Sequence, residues 1–193
     1  NFLTIVPKVH CNGWGYPGTV PMLNGQTICL RAIDINQIFE LIEKHKITHF
    51  GGAPIVLNMI TGASESERKK LNHKVYVLTA GAPPPSIIFK KMEALGFEVM
   101  HVYGLTETYG HILQCAWNDE WNSYDEDKKN EIKARQGVRY PNTEDTMVMD
   151  PETMKPVPKD GKTIGEIRIR GNIVMKGYFK DKEANDKAMS HGW

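Results

Sequence analysis

Cysteine is scarce in this 193-residue sequence. Cys11, Cys29 and Cys115 are odd in number, far apart and form no Cys-x-x-Cys pair. That excludes a disulfide framework and a zinc ribbon, and it fits a reducing, intracellular setting. A dominant charge is lacking too. Lys and Arg number 24 against 23 Asp and Glu, for a net charge of +1, so no strong field recruits nucleic acid or an anionic membrane surface. The longest charge cluster, 125–133, mixes both signs and reads as a solvated helix face. No apolar run is long enough for a membrane span, and there is no signal peptide, internal repeat or low-complexity stretch. His45 and His49 have a metal-like spacing but straddle a helix-to-strand junction, which argues against a metal site.

What is present is ordinary globular material, 40% apolar and 24% charged. It suffices for one sizeable domain or two small ones. The sequence starts at Asn1 inside an apparent strand and stops at Trp193, so both ends read as cut and a fragment is expected. The partners expected are small molecules, and the oligomeric state is left open.

Apolar patterning predicts strands at 2–6, 27–30, 48–50, 75–78 and 97–102. A loop rich in aromatics and glycine, 10–18, follows the first. The clearest helix spans 34–45. Asp34 is placed to cap it with Gln37 three residues on, and Ile35, Ile38, Phe39 and Ile42 form one apolar stripe. Further helices are predicted at 55–60 and, after Pro83, Pro84 and Pro85, up to Leu95. Ser64 and Glu67 form a second capping-box pattern. Strands alternating with helices argue for βαβ units, an α/β fold with a mostly parallel sheet and flanking helices. After about residue 116 the character changes. Residues 117–135 read as an exposed helix plus loop, and 146–149 and 165–170 as strands of a small β-rich subdomain. The expected division is 1–138 and 139–193.

The most informative segment is His101-Val102-Tyr103-Gly104-Leu105-Thr106-Glu107-Thr108-Tyr109-Gly110. It lies at the end of an apolar strand, where open α/β sheets bind ligands. Thr106 and Thr108 are suited to phosphate oxygens, Glu107 to a hard divalent cation, and Tyr103 to a base. The same residues also read as a plain helix start with Thr106 as N-cap. Gly81-Ala82-Pro83 ends the preceding strand, so parallel pairing would set the two ends side by side. There a base could lie against Gly81, although the segment taken alone reads better as a tight turn needing Gly and Pro for geometry alone.

The Tyr103–Glu107 segment resembles the Tyr-Gly-x-Thr-Glu motif of the adenylate-forming superfamily. Gly165-Glu166-Ile167-Arg168-Ile169-Arg170-Gly171, continuing to Gly177-Tyr178, resembles that superfamily's downstream glycine motif. His10-Cys11-Asn12-Gly13-Trp14 and 134–140 are similar to the plant-type acyl-activating clade. The resemblance covers the whole sequence and implies an ATP-dependent acid–CoA ligase that forms acyl-AMP and then acyl-CoA. It implies ATP or AMP, Mg²⁺ and CoA as cofactors and a carboxylic acid as substrate. Thr106 and Glu107 would be catalytic, with Glu107 holding the metal. Gly81, Ala82, Pro83, His101, Val102, Tyr103, Gly104, Leu105 and Thr106 would hold the nucleotide. His10, Trp14, Gly104 and Tyr109 would shape the acyl pocket, with plain packing as the competing reading for His10 and Trp14. The superfamily's phosphate loop would precede Asn1. Its ribose-binding Asp would follow Trp193, and its lid Lys would lie further on. The 193 residues alone are therefore expected to be inactive. A carrier-protein thiol acceptor or luciferase-like oxygenation would use the same residues. Cytoplasm or peroxisome is the expected location, any peroxisomal address being C-terminal.

Overall fold

A computed structural model describes residues 1–193, apart from the side chains of Asn12 and Trp14. A seven-stranded sheet organises the first three quarters of the chain. Its strands are β1 (Phe2–Thr4), β2 (Thr27–Cys29), β3 (His49–Gly51), β4 (Val75–Thr79), β5 (Phe97–Leu105), β6 (Gly110–Gln114) and β7 (Val138–Arg139). The order is β2-β1-β3-β4-β5-β6-β7. The first five strands are parallel, and β6 and β7 add an antiparallel edge. The fold is thus α/β and mostly parallel, as the alternation of elements implies.

The helices are α1 (Cys11–Trp14), α2 (Tyr16–Met22), α3 (Ile35–His45), α4 (Pro54–Gly62), α5 (Ser86–Ala94), α6 (Glu126–Lys133) and α7 (Lys182–Ala188). α3 forms where its sequence says. The Asp34 carboxylate accepts from the Gln37 N–H at 3.0 Å, and Ile35, Ile38, Phe39 and Ile42 are buried. They join Leu3, Phe50, Val75, Val77, Phe97 and Val99 of the sheet and Leu57, Ile60, Phe89 and Met92 of α4 and α5 in one core. Phe97 meets Phe39 and Phe50 at ring-centroid distances of 5.9 Å. On the other face, alternation brings up Phe2, His49, Tyr76 and Met100. Tyr16 of α2 stacks on Phe2 at 4.2 Å, but Tyr76 and Met100 remain 40% and 37% exposed.

Three local expectations are corrected. The segment after β5 is not a helix with Thr106 as N-cap. It is a single three-ten turn, Thr106–Thr108, after which the chain reverses into β6. The loop after β1 contains the short helices α1 and α2, the latter with Pro21 inside it. The box of Ser64 and Glu67 forms, with the Ser64 N–H donating to the Glu67 carboxylate at 2.8 Å, but it closes only a turn.

Beyond β7, β8 (Asp145–Met149) and β9 (Glu166–Arg170) pair antiparallel as a separate two-stranded sheet. Arg168 and Arg170 share a face by register, yet Arg168 is tucked in with an 11% exposed side chain while Ile167 is 40% exposed. Among the described residues no helix is long and apolar enough to cross a membrane.

Candidate functional site

The site is built at the C-terminal ends of β4 and β5. Their register pairs Leu78 with Met100 and Thr79 with His101. The residues that continue each strand, Gly81-Ala82-Pro83 and Tyr103-Gly104, therefore emerge from neighbouring strands. Gly81 has φ +98°, a left-handed value that favours glycine. A Cβ there would meet no atom within 4 Å, and Ala82 and Pro83 are exposed. An accessible stretch of backbone results.

The turn after β5 is fixed by backbone proximity. A Cβ on Gly104 would lie 1.9 Å from the Gly110 carbonyl oxygen, so only glycine fits. The chain closes on itself through Thr108, which is 3% exposed. Its hydroxyl accepts from the Leu105 N–H at 2.9 Å and donates to the Gly110 carbonyl at 2.8 Å. Thr108 is thus the internal staple of the turn and not a phosphate ligand. Thr106 is exposed on the same turn, and Glu107 is half-buried. Leu105 is at the surface. Tyr103 is half-buried, and burial together with the nearby Glu107 charge pushes its phenol above the usual range.

Glu107 is held from a distance in sequence. The Tyr178 hydroxyl donates to Glu107 Oε1 at 2.9 Å, and the Met175 N–H donates to the Glu107 carbonyl at 2.8 Å. This bond to the carboxylate raises the Tyr178 phenol above its ordinary value. The loop after β9 therefore grips the residue by side chain and main chain. Neither Tyr178 nor Met175 was singled out for this role by the sequence. The Gly177-Tyr178 pair was visible as a motif, but its partner lies 71 residues away.

Two strand residues of the expected nucleotide set point elsewhere. His101 is buried, with Nδ1 2.8 Å from the Ala134 carbonyl and its ring beside Phe89. Val102 is also buried. Their side chains serve packing, whereas Leu105 and Thr106 are exposed and Tyr103 and Glu107 half-buried.

The expected acyl residues are drawn from two segments. His10 is exposed and precedes α1. The Trp14 side chain lies outside the described residues. The two segments come near each other at Cys11, whose Cβ would be 3.7 Å from a Cβ built on Gly110. Tyr109 has φ +58° and is 68% exposed. That left-handed conformation is uncommon for an aromatic residue. Behind the turn stand Tyr16, His111 and Tyr140, with the rings of His111 and Tyr140 5.2 Å apart. Burial pushes the Tyr16 phenol up to about 12, helped by the nearby Tyr140 and Cys11. Burial lowers the His111 imidazole. These three come from α2, β6 and the loop after β7, which share no local motif, and the sequence did not single them out.

A Mg²⁺ ion suits this donor set. Among the described residues no cluster of three His, Cys, Asp or Glu could enclose a metal. A lone carboxylate with an exposed hydroxyl beside it is what Mg²⁺ uses when phosphates supply the remaining oxygens.

Residues 1–179 match the family described as AMP-binding enzyme. The chain is 48% identical over 194 residues to a peroxisomal acetate/butyrate–CoA ligase of Arabidopsis thaliana, and 48% identical over 194 residues to an acetate–CoA ligase of Humulus lupulus. All of the chain and 34% of each relative are covered, so it spans about a third of their length. O-succinylbenzoate coenzyme A synthetase from Bacillus subtilis, solved with ATP and magnesium, superposes with a TM-score of 0.79 at 20% identity. That match covers 100% of this chain and 37% of the synthetase, and it shows a shared fold.

Proposed function

The chain belongs to the AMP-binding enzyme family, and from that premise we propose that it forms the acyl- and adenine-facing part of an ATP-dependent carboxylic acid–CoA ligase. The observation that carries the reading is that Gly81–Pro83 and Tyr103–Glu107 follow the C-terminal ends of two neighbouring parallel strands. Gly81, Ala82, Pro83 and Tyr103 would hold adenine, with the main chain of 101–105 following the nucleotide. Thr106 would donate to the α-phosphate. Glu107 would hold Mg²⁺, which when bound neutralises charge developing on the phosphates. His10, Trp14, Gly104 and Tyr109 would border the acid. Catalysis of acyl-AMP formation would rest mainly on positioning and charge stabilisation.

The relatives' names point to short acids such as acetate and butyrate, and we extend that class to this chain, with CoA as acceptor. The division at 138/139 belongs to the same proposal, although β7 straddles it. So does a peroxisomal or cytoplasmic location, the former suggested by several peroxisomal relatives. ATP–pyrophosphate exchange by the full-length protein with a panel of carboxylic acids tests the reading. Exchange dependent on a short acid, followed by acyl-CoA release when CoA is added, supports it. Acid-dependent exchange without thioester formation on CoA would point to a carrier-protein acceptor instead.

A further inference from the structure

We propose that Tyr178 is a positioning residue for the metal-holding carboxylate of Glu107. The inference rests on the Mg²⁺ role assigned above and goes beyond it to the group that aims the ligand.

The geometry has three layers. The phenol donates to one oxygen of Glu107, Oε1, at 2.9 Å, so Oε2 keeps its lone pairs for a cation. A neutral donor does this without cancelling the negative charge, as a nearby Lys or Arg would. Hydrogen bonds between a hydroxyl and a carboxylate are among the stronger kinds. The Met175 N–H fixes the Glu107 main chain at 2.8 Å, so both ends of the residue are tied to one loop.

That loop is itself locked. The Tyr178 N–H donates to Asn185 Oδ1 at 2.6 Å, and Asn185 Nδ2 donates to the Tyr178 carbonyl at 2.9 Å. Asn185 sits on α7, whose N-cap Asp181 accepts from the Ala184 N–H at 3.0 Å. Gly177 leaves space for this two-way grip. Its φ is +145°, and a Cβ there would lie 2.6 Å from Asn185 Oδ1. A rigid relay therefore runs from α7 through the Tyr178 backbone and phenol to Glu107. A half-exposed tyrosine adds little to packing, yet its hydroxyl is placed on the one carboxylate the turn presents.

Groups that hydrogen-bond a metal ligand characteristically change metal affinity by about 10- to 100-fold when removed. The test uses Tyr178→Phe, which keeps the ring and deletes the donor, in the full-length protein. ATP binding is followed by calorimetry across a Mg²⁺ titration, with Glu107→Gln alongside and melting temperature as a control. The Mg²⁺ concentration for half-maximal enhancement of ATP binding should rise about tenfold in Tyr178→Phe. Saturating Mg²⁺ should restore binding, and the melting temperature should hold. A merely structural role would weaken ATP binding equally at every Mg²⁺ concentration, and that result overturns the proposal. If Glu107→Gln removes the Mg²⁺ enhancement while Tyr178→Phe leaves it at wild type, the positioning role fails and the metal reading stands. If Glu107→Gln itself leaves the enhancement intact, the metal reading fails and the positioning role falls with it.

Discussion

Thr106 and Thr108 sit two residues apart in opposite surroundings, the first exposed and the second buried. Thr108→Val should destabilise the protein, while Thr106→Val should leave stability alone and, on the proposed function, remove a phosphate contact. Valine matches threonine in shape, so the change at 108 deletes a hydroxyl with little alteration of volume. That hydroxyl is buried and joins the Leu105 N–H to the Gly110 carbonyl. Two hydrogen bonds are lost at a net ~1 kcal/mol each. A buried polar group left without a partner adds roughly 1–3 kcal/mol. The expected loss is therefore about 3–5 kcal/mol, a large share of the roughly 5–15 kcal/mol typical of a domain. Urea unfolding of the 193-residue chain, followed by circular dichroism, measures it through the midpoint shift at unchanged slope. Thr108→Ser, which retains the hydroxyl, should recover most of the loss. Thr106→Val, at an exposed position, should fall within about 0.5 kcal/mol of wild type. A Thr108→Val loss below about 0.5 kcal/mol would refute the staple, as would a larger loss for Thr106→Val than for Thr108→Val.

Glu107→Gln keeps the shape of the side chain and its acceptor for Tyr178 but removes the charge. Acyl-AMP formation by the full-length protein should fall by at least a hundredfold at an unchanged melting temperature, and wild-type pyrophosphate exchange would defeat the assignment. Stability should fall as pH drops from 7.5 to 5.5. Burial lowers His111 and His49, so the unfolded chain takes up protons near pH 6.5 that the folded chain refuses. Urea midpoints read this; His111→Gln should flatten the slope, and a midpoint that rises on acidification contradicts the sign. The 193-residue chain alone should bind ATP only weakly and release no acyl-AMP detectable by mass spectrometry, because groups that act together lose nearly everything when several are missing. Sub-millimolar binding with turnover would show that the site is more complete than assigned.

The parallel core was legible because its signals are local. The stripe of α3 and the Asp34–Gln37 cap can be read within twelve residues, and the structure buries that stripe and closes that cap. The fate of Thr106-Glu107-Thr108 was not local. A hydroxyl, a carboxylate and a hydroxyl after an apolar strand are what an N-cap looks like. The chain turns back into β6 instead because Gly104 allows the Gly110 carbonyl to occupy the space of a Cβ. That approach depends on register across the turn, which no propensity reports. α2 was hidden for another reason. Pro17, Gly18 and Pro21 read as loop residues, yet Pro17 falls in the first turn, where a proline is tolerated.

The candidate site divides along the same line. The residues proposed to carry its chemistry lie in two short motifs that stand out in the sequence, whereas the groups that contact Glu107 come from afar. Glycine links the two kinds of knowledge. Gly104 and Gly177 both stand in quoted motifs, and at each a specific oxygen fills the place a side chain would take: the Gly110 carbonyl at one, Asn185 Oδ1 at the other. The first approach shapes the turn that presents Glu107. The second locks the backbone from which Tyr178 reaches that same carboxylate. At these two glycines, unlike Gly81, the missing side chain marks where another group of the chain comes in close. The identity of that group follows only from the three-dimensional register.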